Sequence, residues 1–268
     1  MSISIRELTE IEDLRQVAEL FALVWGRPGE PPINTDILKA LAHSGNYVSG
    51  GYFGDKLVGG LVGWFGGVPP HELHMHSHIL GVLGGSDARG VGFELKQHQR
   101  RWCLARGVTV MEWTTDPLVR RNAYFNLTKL GAHAPEYLVN VYGVMSDEIN
   151  AGEESDRLLI RWRLDSASVK AAASGHVPEP NVDELMRVGA EVGLSVGDSG
   201  DPVVTGKFAR VLLCQVPDDI VAIRRSDPAL ARAWRVTQRQ TFIEAIATGY
   251  EVTGATRSGW YVLEKVTD

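Results

Sequence analysis

His78-Ile-Leu-Gly-Val82-Leu-Gly-Gly-Ser-Asp87-Ala-Arg-Gly90-Val-Gly92-Phe-Glu-Leu95 is the stretch on which the fold turns. The run up to Val82 reads as a strand, the glycines after it as a turn, and Gly90 to about Arg106 as a helix. The first backbone N–H groups of a helix have no intrahelical partner, and the helix dipole adds partial positive charge there. Glycine lets an anion approach that backbone with no Cβ in the way. The segment is therefore either a phosphate cradle or an ordinary left-handed helix entry. It lacks the Gly-Lys-Ser/Thr ending of a nucleoside triphosphatase loop, and Leu95 fills the place of the third glycine in a dinucleotide fingerprint.

Working outward, Ile3 and Ile5 alternate with Ser2, Ser4 and Arg6 in a short strand. Leu14, Val17, Ala18, Phe21, Ala22 and Trp25 recur at helical spacing, and Thr35 reads as the N-cap of a helix to about Ala42. Two strand-like runs, 47–53 and 57–65, meet at the hairpin signal Gly54-Asp55, and a third runs from Leu73 to Val82. Beyond the quoted stretch, 108–115 reads as a buried strand and Leu118–Leu130 as a helix stopped by Gly131. Residues 136–145 and 157–164 read as two more strands. The order β-α-α-β-β-β-α-β-α-β-β predicts an α/β fold with a largely antiparallel front.

From about 166 the texture changes. Residues 166–206 carry Pro178, Pro180, Pro202 and several glycines, and read as linker and irregular loops. A strand is expected at 208–215, a long helix at 227–248 and a final strand at 260–266. Two domains follow, 1–165 and a smaller α+β region, 166–268, packed on the first. That region is expected to cap a cleft of the first or to form a homodimer surface through the Trp234/Phe242 helix.

Apolar residues make up 44% of the chain and charged residues 22%, as in an ordinary globular protein. A net charge of −6 argues against an electrostatic nucleic-acid or membrane binder, because such proteins gather Lys and Arg to meet phosphate, and leaves room only for a small local basic pocket. Cys103 and Cys214 belong to no Cys/His cluster, so neither a metal site nor a disulfide framework is expected. No signal peptide and no apolar run of roughly 20 residues is present. The cytoplasm is the expected location.

The quoted stretch resembles the pyrophosphate motif of the GNAT acetyltransferase superfamily, in which a valine ends the fourth strand and Gln/Arg-x-x-Gly-x-Gly/Ala opens a helix. Val82, Gly90, Gly92 and the apolar Leu95 fall in register, while Asp87 stands where the family has Gln or Arg. Asn122 to Ala132 resembles the family's helix after the fifth strand, with Ala123, Lys129, Leu130 and Gly131 matching. The resemblance covers about 3–165. It implies a mixed, mostly antiparallel sheet with splayed central strands flanked by helices. It further implies acetyl-CoA or another acyl-CoA as co-substrate, held by Val82, Asp87, Ala88, Arg89, Gly90, Val91, Gly92 and Asn122. The activity implied is transfer of a small acyl group to the primary amine of a small molecule or amino acid. The alternative is an acyl-CoA-binding module without turnover.

In many members a tyrosine four residues before the glycine of Lys-Leu-Gly acts as the acid, and Leu127 stands there instead. Glu72, His74, His76 and His78 alternate along the fourth strand and share a face. His78 is nearest the strand end, and histidine suits either proton role near neutral pH, although such residues are also commonly plain surface histidines. Asp116 flanks the fifth strand, where helix capping competes with catalysis. Tyr124 is the third candidate, with a place in the core as its alternative.

Overall fold

The computed structural model describes residues 2–67, 72–85, 88–143, 153–206 and 209–266. The chain divides into two compact units, Met1–Trp113 and Thr114–Asp268. In the first, alternating Ile3 and Ile5 form β1 (Ile3–Glu7), and the apolar stripe 14–22 forms α1 (Ile11–Val24). A second helix, α2 (Thr35–His43), is capped by the Asn34 side chain, which accepts from the Ile37 N–H at 3.0 Å. The cap therefore lies one residue before the expected Thr35. Three strands follow, β2 (Tyr47–Phe53), β3 (Lys56–Gly66) and β4 (His74–Val82), then α3 (Val91–Leu104) and β5 (Val110–Thr115). The sheet order is β1-β2-β3-β4-β5.

Glycines in β2 and β3 decide which helix lies on which face. A Cβ on Gly60 would sit 3.0 Å from Val17 and 3.1 Å from Phe21, so α1 packs on that side. Leu14, Val17, Phe21, Leu38, Val48 and Val62 are buried together there. A Cβ on Gly51 or Gly59 would sit 2.7 or 2.9 Å from Val91 Cγ1. The N-terminal turn of α3 therefore rests in a notch on the opposite face, with side-chain volume removed from the sheet rather than from the helix.

Two irregularities shape β4. Its antiparallel ladder with β3 pairs Val62 with Ile79 and Gly63 with Ser77, so His78 is an extra residue in a bulge. Its parallel ladder with β5 consists of Met75↔Met111 and His76↔Glu112 among the described residues, while β4 continues to Val82. The strands part from Ser77 onward.

The second unit holds α4 (Arg120–Ala123), a π-helical turn (Tyr124–Lys129), β6 (His133–Leu138) and β7 (Arg157–Arg163). Its remaining elements are α5 (Ala167–Ala173), α6 (Val182–Arg187), β8 (Glu191–Val196), β9 (Pro202–Val204), β10 (Val211–Gln215), α7 (Ile220–Ser226), α8 (Pro228–Ala247), β11 (Tyr250–Ala255) and β12 (Trp260–Lys265). The sheet order is β7-β6-β11-β12-β10-β8-β9. The stretch expected to be linker thus contains two helices and two strands. Its helices are only seven and six residues long, too short for a clear apolar period, and each starts at a side-chain cap, Ser166 and Asn181.

A boundary near residue 165 falls inside this unit, because the early residues find their partners late in the chain. Ala134 of β6 pairs with Val252 of β11. Thr128 exchanges hydrogen bonds with the Ala255 backbone, and the Pro117 carbonyl accepts from Gln238 and Tyr261. Trp234 and Phe242, expected on a homodimer surface, are fully buried. Trp234 donates to the Gly200 carbonyl at 2.9 Å, and Phe242 meets Tyr261 edge-on at 5.3 Å. Among the described residues no helix is long and apolar enough to cross a membrane.

Candidate active site

The face of β4 that carries the alternating histidines forms one row with its neighbours. Trp64 of β3 pairs with His76, and His76 pairs with Glu112 of β5. His74 Nε2 lies 3.7 Å from a Glu112 carboxylate oxygen. The His78 ring lies 4.5 Å from the Trp64 ring, and its Nδ1 lies 3.4 Å from His76 Nε2. Burial, the neighbouring histidines and Lys96 push the His76 imidazole down to about 4, with Glu112 opposing. Partial desolvation also lowers His78, although its edge stays exposed. Glu72 is turned aside, accepting from the Thr109 hydroxyl at 3.4 Å. Beside the row lies a cavity of about 690 Å³, walled by Trp64, Phe65, His78, Ile33 and Ile37. That is the size of a small-molecule site, and its lining mixes apolar side chains with Asn34, Asn46 and a single titratable side chain, His78.

At the other end of the β4 divergence the glycine loop opens α3. Gly90 is left-handed at φ +87°, and the Glu94 N–H returns to its carbonyl at 3.1 Å. Arg89 and Gly90 are exposed, whereas Ala88 and Val91 are buried, so Val91 offers an anion only its backbone. A Cβ on Gly92 would meet Val82 at 3.6 Å and Leu80 at 3.9 Å, ordinary contacts that leave this helix start open. Asp87 lies outside the described residues. Exposed glycine backbone at a helix N-terminus, with the exposed Arg89 next to it in sequence, has the chemistry to hold an anion.

Sequence reading missed a polar cluster on the opposite side of the sheet. Lys96 of α3 is buried, donates to Ser77 Oγ at 2.8 Å and lies 3.5 Å from the Trp113 ring centroid. Ser77 in turn donates to Gln99 Oε1 at 2.8 Å. The signal was present in the helical spacing: Lys96, Gln99 and Cys103 fall on the buried stripe of α3, where an amine is out of place.

The other expected residues belong to the second unit. Both Asp116 oxygens are engaged, Oδ1 by Arg235 and the Leu118 N–H, Oδ2 by Arg224 and Arg235. Burial opposes its charge, but Arg235 and Arg224 prevail and hold the carboxyl well below the usual range. Tyr124 opens the π-helical turn, its ring under the Arg257 guanidinium at 4.8 Å, and Leu127 is buried. Asn122 is half-buried in α4.

No protein-family model matches the chain, and no curated protein matches it. Solved structures do resemble it. An N-acetyltransferase from Staphylococcus aureus Mu50 is similar at TM-score 0.49 and 14% identity, over 62% of this chain and 100% of that one. yncA, a putative acetyltransferase from Salmonella typhimurium solved with acetyl-CoA, is similar at TM-score 0.49 and 15% identity, over 61% and 95%. A putative acetyltransferase of the GNAT family from Desulfovibrio desulfuricans is similar at TM-score 0.45 and 15% identity, over 61% and 99%. These are likenesses only, and the ligands and activities in those names belong to those proteins.

Proposed function

We propose that the chain is an acyl-CoA-dependent N-acyltransferase, moving an acetyl or other small acyl group to the primary amine of a small molecule by direct attack. The observation that carries this reading is the early end of the β4–β5 ladder at His76↔Glu112, followed by the run of β4 to Val82 and the turn through Gly90 into α3. An unpaired strand edge offers its N–H and C=O groups to an amide-bearing arm, and the helix start offers its N–H groups to a diphosphate.

Bound acyl-CoA supplies an activated carbonyl. The backbone from Ala88 to Gly92 and the Arg89 guanidinium would hold its diphosphate. The cavity beside Trp64 would hold the acceptor. An alkyl ammonium titrates near about 10 and must lose a proton before it attacks. His78, neutral at pH 7 because its pKa is lowered, takes that proton. No proton transfer is assigned to Asp116, whose oxygens are engaged by arginines, or to Tyr124, and no role here rests on Asn122.

Isothermal titration with CoA and acetyl-CoA, followed by thiol release over a panel of amines, tests the reading. Binding and amine-dependent thiol release are expected. Absence of binding overturns it, and binding without turnover on any amine marks a non-catalytic acyl-CoA module.

A further inference from the structure

The last β4–β5 pair is His76↔Glu112, so the next residues on the two strands are Ser77 and Trp113. Lys96 reaches both: its Nζ is 2.8 Å from Ser77 Oγ and 3.5 Å from the Trp113 ring centroid. An amine from α3 therefore occupies the point at which the two strands part. It is 2% exposed, and its polar partner is a hydroxyl rather than a carboxylate. Burying an amine in that way costs several kcal/mol, which an aliphatic side chain at the same position would avoid. A second observation concerns Gln99. Its Nε2 is buried without a hydrogen-bond partner and lies 2.7 Å from where a Cβ on Gly63 would be, beside the β3–β4 bulge. The cluster thus holds a spare donor at the β3–β4 bulge.

We propose that Lys96 is the proton donor to the sulfur released when a thioester held between β4 and β5 is cleaved. The proposal rests on the acyl-CoA reading of that gap. The acceptor nitrogen bonds to the carbonyl carbon, the C–S bond breaks, and its electron pair stays on sulfur. The sulfur takes a proton from the Lys96 ammonium, and His78, having passed the acceptor ammonium's first proton to water before attack, takes the second proton that the nitrogen loses as the amide forms. Both side chains return to their starting state by exchange with water as products leave, so amine and thioester give amide and thiol. Burial drives the Lys96 pKa well below that of a free amine. The titratable groups that interact with it are Cys103 on its own helix, which opposes the shift, and His76 on β4. Glu112 of β5 is engaged with His74.

Three readouts on the full chain test this. Lys96→Met should lower kcat about 100-fold and remove the alkaline limb of the kcat–pH profile, since the acid is active only while protonated. Its Tm should be unchanged or higher, because an apolar chain of similar length replaces a buried amine. Lys96→Gln serves as the second variant if the methionine protein does not fold. In titration calorimetry the wild type should bind CoA about tenfold more tightly than desulfo-CoA, and Lys96→Met should bind the two alike. Wild-type kcat, a retained alkaline limb or a retained preference for the thiol in Lys96→Met overturns the proposal and leaves the acyl-CoA reading standing. Failure of the wild type to bind CoA overturns both.

Discussion

Arg235 grips Asp116 with two parallel hydrogen bonds, Nη1 to Oδ1 at 2.9 Å and Nη2 to Oδ2 at 3.0 Å, while Arg224 reaches Oδ2 at 2.6 Å. Glu153 accepts from Arg224 at 2.8 Å, and Arg239 binds Asp156 at 2.7 Å and also pairs with Glu154. This network holds the second unit together through charge, at its start and near its end.

Removing the Asp116 charge leaves two buried guanidiniums sharing Glu153, with no carboxylate in the position Asp116 held. Asp116→Asn should cost about 3–5 kcal/mol in urea unfolding at pH 7. The native carboxyl titrates below its unfolded value of about 3.9. Its contribution is therefore fully present above that pH and is lost as pH falls toward the native value. The wild type should lose this increment below about pH 4, and Asp116→Asn should not. Equal stability of the two proteins at pH 7 would show the pair to be energetically idle.

The notch under α3 yields a coupling test. Gly59→Ala puts a methyl 2.9 Å from Val91 Cγ1 and should destabilise the protein by about 1–3 kcal/mol. Val91→Ala in the same chain should recover part of that loss, giving a non-additive double-mutant cycle. Strict additivity would mean that α3 does not rest on this glycine.

The glycine loop separates backbone geometry from ligand space. Gly90→Ala should cost about 1–2 kcal/mol because its φ of +87° is left-handed. Gly92→Ala should be tolerated, since its added Cβ meets nothing nearer than 3.6 Å. Gly92→Trp should abolish CoA binding in calorimetry while circular dichroism stays native. Unchanged affinity in Gly92→Trp would move the diphosphate elsewhere.

His78 sets the acid limb of the reaction. Its lowered pKa keeps it neutral until the pH falls below the usual 6.5, so kcat/KM should decline only below that value. His78→Gln should lower kcat/KM by about 10²–10⁴ and abolish the limb. A wild-type profile in that variant would assign the base elsewhere.

Most of the first unit was legible because its signals are local. The Gly54-Asp55 hairpin, the strand end at Val82 and the helix start at Gly90 depend on neighbours a few positions away. What stayed hidden depends on distant partners. Nothing near Asp116 announces Arg224 or Arg235, so a buried ion pair looked like a candidate catalyst. The π-helical turn at Tyr124–Lys129, where Leu130 donates to the Phe125 carbonyl, leaves no periodic trace in six residues. Lys96 was overlooked for a different reason. A charge on an apolar stripe is usually solvated, and only the tertiary fold shows that it lies between Ser77 and Trp113.

The pairing of Ala134 with Val252 carries a consequence for biosynthesis. A chain emerging from the ribosome has every strand partner of β1 to β4 available early, through two hairpins, the α1–α2 connection between β1 and β2, and the α3 crossover to β5. By contrast, Asp116 waits 108 and 119 positions for its two arginines, and Ala134 of β6 waits a similar span for Val252 of β11. Throughout that interval one edge of β6 is bare, a template for pairing with another nascent chain. Release before Val252 is made would leave that edge uncovered for good, so truncations within the last strands should accumulate as aggregates rather than as a smaller folded protein.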